Sequence, residues 1–348
     1  LWRRAILGGH CKDSDLPGYE ADMGVHFPWV GQFYNFDTAR NPHGHDSTVN
    51  VWKAQGRGLH VAFQPEQSSL SGPTVQMADI AAGVWDPLLL VMLQYLRDYS
   101  LPVVVRFGHE FNGHWYKWSA AYEAWHPGQG GCKSPGEWVA AFRHVVDLER
   151  GMPGASNIRW YWCAAAFDSS LPGGAPKIPM EAYWPGADSA GRHYADIVGA
   201  DGYNNNEGWN PSVPGSGNWR TFEQVFCDPD PVRFPKSPWY RINALDSRSP
   251  FWVGETGCVE AGAGQVKGGV AVSKAQWLTD MFNSTTALTG GRTASPRLFG
   301  LHYFNWPNPS FGDRRVTTSV AADDAARAGY QRAINPNLDL ITGWGVRP

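Results

Sequence analysis

The stretch Val103-Val104-Val105-Arg106-Phe107-Gly108-His109-Glu110-Phe111-Asn112-Gly113-His114-Trp115-Tyr116-Lys117-Trp118-Ser119 decides how the chain is read. Apart from Arg106, residues 103–107 are apolar on both faces, the pattern of a strand buried in a parallel sheet. Side chains alternate along a strand, so Arg106, Gly108 and Glu110 are expected to share one face near its C-terminal end. A guanidinium and a carboxylate leaving a buried strand are costly to desolvate unless they pair or react. An Arg–Glu ion pair closing the strand would meet that cost, and so would a catalytic acid. Trp115 and Trp118 follow at once, and indole faces suit the apolar faces of sugar rings.

Outward from this strand, short apolar runs recur at residues 4–9, 25–33, 58–64, 158–163, 196–204, 250–257 and 297–306. Helical periods fall at 85–99, 135–149, 239–245, 273–282 and 321–334, with Ser134 and Pro135 as the cap and first residue of the second. Strands alternating with helices predict an α/β fold, a single parallel (β/α)8 barrel over residues 1–348, rather than a sandwich. Residues 34–46, 120–134 and 205–234 read as long loops, the usual carriers of specificity.

The 348 residues carry a formal net charge of −3 and no basic block, which argues against nucleic acid or acidic membrane surfaces as partners. No apolar run reaches the length of a membrane span. The 18 Trp, 13 Tyr and 16 Phe exceed what a core of this size needs, and many stand beside Gly, Asn and Pro. They suggest a surface for flat apolar faces, although part of them must pin loops to the barrel. The chain lacks an initiator Met and a cleavable leader, so it reads as mature or trimmed. Of the five cysteines, Cys163 reads as a strand thiol, while Cys11, Cys132, Cys227 and Cys258 leave room for one or two disulfides. His43-Gly44-His45-Asp46 is a weak metal candidate without Cys partners. Neither a metal nor a cofactor is expected.

From Arg106 through Trp118 the sequence closely resembles the acid/base motif of glycoside hydrolase family 26, Arg-x-x-His-Glu-x-Asn-Gly-x-Trp-Tyr-x-Trp. The resemblance implies a (β/α)8 barrel glycosidase with Glu110 as acid/base. Trp252-Val253-Gly254-Glu255-Thr256-Gly257 then supplies the second carboxylate three strands later, where such barrels keep their nucleophile. By the same resemblance Arg106 and Tyr203 contact that nucleophile, and His109 orients Glu110 or touches sugar. Trp306 would be the platform beneath the sugar being cleaved, and Trp115 a second stacking surface. His302 and Tyr303 are further candidates for the floor of the site. The implied enzyme is a secreted, monomeric, retaining endo-β-glycanase acting on a neutral polysaccharide. Endo-β-1,4-mannanase leads, with mixed-linkage β-glucanase and β-1,3-xylanase as alternatives. A catalytically silent carbohydrate-binding barrel and a metal-dependent hydrolase using His43 and His45 are the readings from other classes.

Overall fold

The computed structural model describes residues 6–10, 15–67, 74–208, 210, 212–213, 216–227, 237–290, 298–305, 307–308, 312–315 and 320–333. Among the described residues eight strands build the barrel: β1 (Ile6–His10), β2 (Trp29–Tyr34), β3 (Gly58–Phe63), β4 (Val103–Phe107), β5 (Ile158–Ala165), β6 (Ile197–Asn204), β7 (Phe251–Cys258) and β8 (Leu298–Phe304). They follow one another in the order β1-β8-β7-β6-β5-β4-β3-β2 of a closed barrel. The α/β barrel expected from the alternating pattern is therefore the fold. The described residues pack as two compact units, one within Leu1–Trp29, Asp201–Arg241 and Pro250–Asp339, the other within Val30–Ala200 and Ile242–Ser249.

In the first unit β1 pairs in parallel with β8, Ile6 opposite Gly300, and β8 pairs in parallel with β7. Helices α10 (Lys274–Gly290) and α11 (Val320–Ala333) pack together, and α11 also meets α1 (Leu16–Met23). In the second unit β3, β4 and β5 run parallel, with Val103 opposite both Leu59 and Ile158. Both β3 and β4 are buried at every residue, which is why neither shows an apolar–polar alternation.

Helix α7 (Pro135–Gly151) begins as its sequence dictates, with Pro135 first and Ser134 Oγ accepting from the Glu137 amide at 3.3 Å. Trp138, Ala141, Phe142, Val145, Val146 and Glu149 recur at helical spacing and form its buried stripe. The segment 34–46 departs from the loop expected there. Asn35 Oδ1 accepts from the Asp37 and Thr38 amides, both at 3.0 Å, and starts α2 (Phe36–Arg40), and a 3-10 turn follows over Pro42–His45. Phe36 and Ala39 are its buried positions, too few to leave a readable period.

Two further expectations are corrected. Trp29, Trp118, Trp138, Trp160, Trp162 and Trp252 are fully buried, so much of the aromatic excess is core. Cys132 and Cys258 carry buried thiols rather than a disulfide, because Cys258 ends β7 instead of lying in a loop. Burial pushes the Cys132 thiol up to about 12, too high for ready ionisation. Cys163 lies in β5 as expected, and Cys11 falls outside the described residues.

Candidate active site

In the second unit the chain turns sharply as β4 ends. Gly108 (φ 51°) and Glu110 (φ 53°) both adopt the left-handed conformation. A Cβ at Gly108 would stand 2.8 Å from Trp138 Nε1, so only glycine fits. The period-two argument therefore stops at Phe107, and Glu110 is aimed by this turn rather than by strand alternation. Main-chain bonds fix the turn: Gly108 N donates to Phe63 O at 2.9 Å and Glu110 N to Cys163 O at 2.9 Å. Trp118 Nε1 donates to His109 O at 2.8 Å and Trp138 Nε1 to Gly108 O at 3.2 Å. Trp118, expected as a sugar platform, is thus a buried brace.

Glu110 is 8% exposed, and its carboxylate accepts from Trp115 Nε1 at 2.5 Å. Gly113 makes that bond possible, since a Cβ there would lie 2.5 Å from the Trp115 ring. Asn112, to which sequence reasoning gave no role, laces the turn to the end of β5. Its amide donates to Ala165 O at 3.0 Å and Asp168 Oδ1 at 2.9 Å, and its Oδ1 accepts from the Ala165 amide at 2.7 Å. His109 is fully buried, with ring neighbours Tyr116 at 5.0 Å, Trp118 at 5.7 Å and Phe33 at 6.3 Å. Arg106 is also fully buried, its Nη1 4.0 Å from Cys163 Sγ.

The first unit holds the other carboxylate. Glu255, in the C-terminal half of β7, is 6% exposed, and the Tyr203 hydroxyl donates to its Oε2 at 2.5 Å. Arg314, absent from the sequence-based candidates, lies over the Tyr203 ring with its guanidinium 3.9 Å from the centroid. Its Nη2 and Nε donate to Asn205 Oδ1 at 2.8 and 3.3 Å, and Tyr303 OH donates to its carbonyl at 2.7 Å. A cation on a ring face that is itself hydrogen-bonded to a carboxylate fixes the phenol in place. No local sequence signal marks Arg314, which follows the last strand in a segment without a period. His302 is buried and stacked on Trp252 at 5.8 Å, a core arrangement. Trp306 lies outside the described residues.

The pair His43 and His45 is engaged elsewhere. His43 Nδ1 lies 3.1 Å from Asp46 and its ring meets Tyr95 at 5.3 Å, while His45 meets Tyr34 at 5.2 Å. Among the described residues, neither belongs to a group of three metal-ligating side chains.

The sequence model of Glycosyl hydrolase family 26 matches residues 75–216, which include β4, its turn and Tyr203. The chain is 25% identical to Endoglucanase H of Acetivibrio thermocellus over 99% of its own length, and spans 32% of that relative. In fold it is similar to the GH26 domain of an endo-β-mannanase/endo-β-glucanase from Prevotella bryantii (TM-score 0.54, 12% identity, 94% of this chain and 88% of that one). It is likewise similar to a Bacillus subtilis mannanase (TM-score 0.55, 13% identity, 100% and 91%). At such identities the structural likeness speaks for the barrel alone. The sequence match runs through the turn that aims Glu110, and over residues 75–216 the chain is similar to glycoside hydrolase family 26.

Proposed function

We propose that the chain is a retaining endo-β-glycanase that cuts a neutral β-linked polysaccharide, with Glu110 as acid/base and Glu255 as nucleophile. The observation that carries this is chemical. Each glutamate is buried toward the carboxyl end of a strand and accepts from an aromatic donor, the Trp115 indole for Glu110 and the Tyr203 phenol for Glu255. Barrel enzymes do their chemistry at the carboxyl ends of the strands. Glycosidic cleavage passes through an oxocarbenium-like state, so one carboxyl protonates the departing oxygen while the other attacks the anomeric carbon. In retaining enzymes the two stand roughly 5–5.5 Å apart. Water, deprotonated by Glu110 in its second role, then releases the sugar with its configuration kept. Because one chain supplies both carboxylates, this reading takes the enzyme as a monomer, acting outside the cell, where the polymer lies.

For the substrate, β-1,4-mannan leads on the commonest activity of the family. A β-glucan is the second reading, supported by the relative named Endoglucanase H. Reducing-sugar release from mannan, glucomannan, lichenan and β-1,3-xylan tests both. Turnover confined to uronic-acid polymers would overturn the proposal, and turnover of lichenan but not mannan would select the glucan arm.

Arg314 enters this chemistry through Tyr203. A hydroxyl donating to a carboxylate favours its charged form, and Arg314 holds the Tyr203 ring that donates to Glu255. Arg314→Ala is therefore expected to lower kcat about tenfold, the scale of a desolvated cation–π contact. In a Tyr203→Phe background the same substitution should lower kcat no further. Additive losses in the double variant would mean that Arg314 acts by another route.

A further inference from the structure

Aromatic content suggests a broad binding surface, yet among the described residues only two tryptophans are exposed, Trp115 at 46% and Trp125 at 43%. They are joined. The His114 ring lies 5.5 Å from Trp115 and 5.6 Å from Trp125, so three aromatic rings run in series outward from the indole that holds Glu110. We infer that Trp125, with His114 between it and Trp115, forms an outer sugar-binding subsite that takes the second pyranose on the leaving-group side of Glu110. The inference rests on Glu110 being the acid. The acid touches the departing oxygen, so a ledge that begins at its own hydrogen-bond donor begins beside the departing sugar.

The ledge is preorganised. Trp125 ends α6 (Ala120–Trp125), which starts at Ser119 with Oγ accepting from the Ala121 amide at 3.1 Å. Trp125 Nε1 donates to Ser170 O at 2.8 Å, so the polar edge of the indole is satisfied while the ring stays open. His114 Nδ1 lies 3.0 Å from Ser169 Oγ, which anchors the middle ring to the same loop. The neighbouring Glu123 carboxylate accepts from the Gly128 and Gly130 amides at 2.7 and 2.8 Å, which pins the turn after the helix. A rigid, uncharged aromatic face that loses no entropy on binding suits the apolar face of a neutral pyranose. Left empty, it is an apolar surface maintained against water for no structural gain.

The test separates binding from catalysis. Native gels containing glucomannan or lichenan should retard the wild-type protein, and Trp125→Ala should weaken that retention about tenfold, the scale of losing one aromatic anchor. Trp125→Phe should keep most of it. Should Trp125→Ala melt early by circular dichroism, His114→Ala carries the same expectation through the middle ring. In turnover, Trp125→Ala should raise KM for the polymer and leave kcat/KM for an aryl disaccharide unchanged, because a small aryl group does not reach the outer ring. Retention equal to wild type in a folded alanine variant, or no retention of the wild type by either polymer, would overturn the subsite. Trp125-dependent retention without any release of reducing sugar would instead leave the subsite standing and sink the proposed hydrolysis.

Discussion

Glu255→Ala is expected to abolish turnover of every substrate, including aryl glycosides whose leaving groups need no protonation. Removing a nucleophile deletes the first covalent step, and losses above about 10⁴-fold in kcat are the scale for such residues. The folded barrel should survive, because the truncated side chain leaves a small polar void instead of an unpaired charge. Azide then has room to attack from the vacated side in a single displacement. The product should be the glycosyl azide of inverted, α configuration, read from the anomeric proton by NMR. A variant keeping more than a few per cent of wild-type activity would move the nucleophile elsewhere.

Glu110→Ala should divide substrates instead of silencing them all. Polysaccharide turnover should fall by about 10²- to 10⁴-fold, the usual contribution of general acid–base catalysis. A dinitrophenyl glycoside needs no acid, so its first step should proceed in a burst. The glycosyl-enzyme then accumulates, because no base activates water, and intact mass spectrometry should show one added glycosyl group. Azide needs no base and should restore turnover with retained, β configuration. If this variant yielded the α azide and Glu255→Ala the β azide, the two roles would be reversed.

How much of this was legible in the sequence depended on whether the cause was local. Buried β4 was readable because one unbroken run, apolar but for Arg106, holds it, and α7 because Ser134, Pro135 and five apolar positions agree. The left-handed turn behind β4 was not, since strand alternation was carried past Phe107 to Glu110. Helix α2 was missed because it is one turn long and is started by a single Asn35 side chain. The aromatic residues could be counted but not sorted, since a buried brace such as Trp118 and an exposed platform such as Trp115 stand three positions apart in the same motif. Arg314 was invisible for the opposite reason. Its partners Tyr203 and Asn205 are more than a hundred residues away in the chain, and only the folded unit brings them together.

The left-handed backbone at Glu110 has a consequence for how the acid persists. A non-glycine residue in that region sits about 1–2 kcal/mol above a relaxed one, and glycine would relieve the difference. The fold therefore exerts a steady thermodynamic pull toward discarding the very side chain proposed as the acid. A lineage selected only for thermostability would drift toward an inert barrel by this route, with its architecture improved and its purpose gone. The Trp115 indole bond and the role proposed for Glu110 are what favour a carboxylate on that turn.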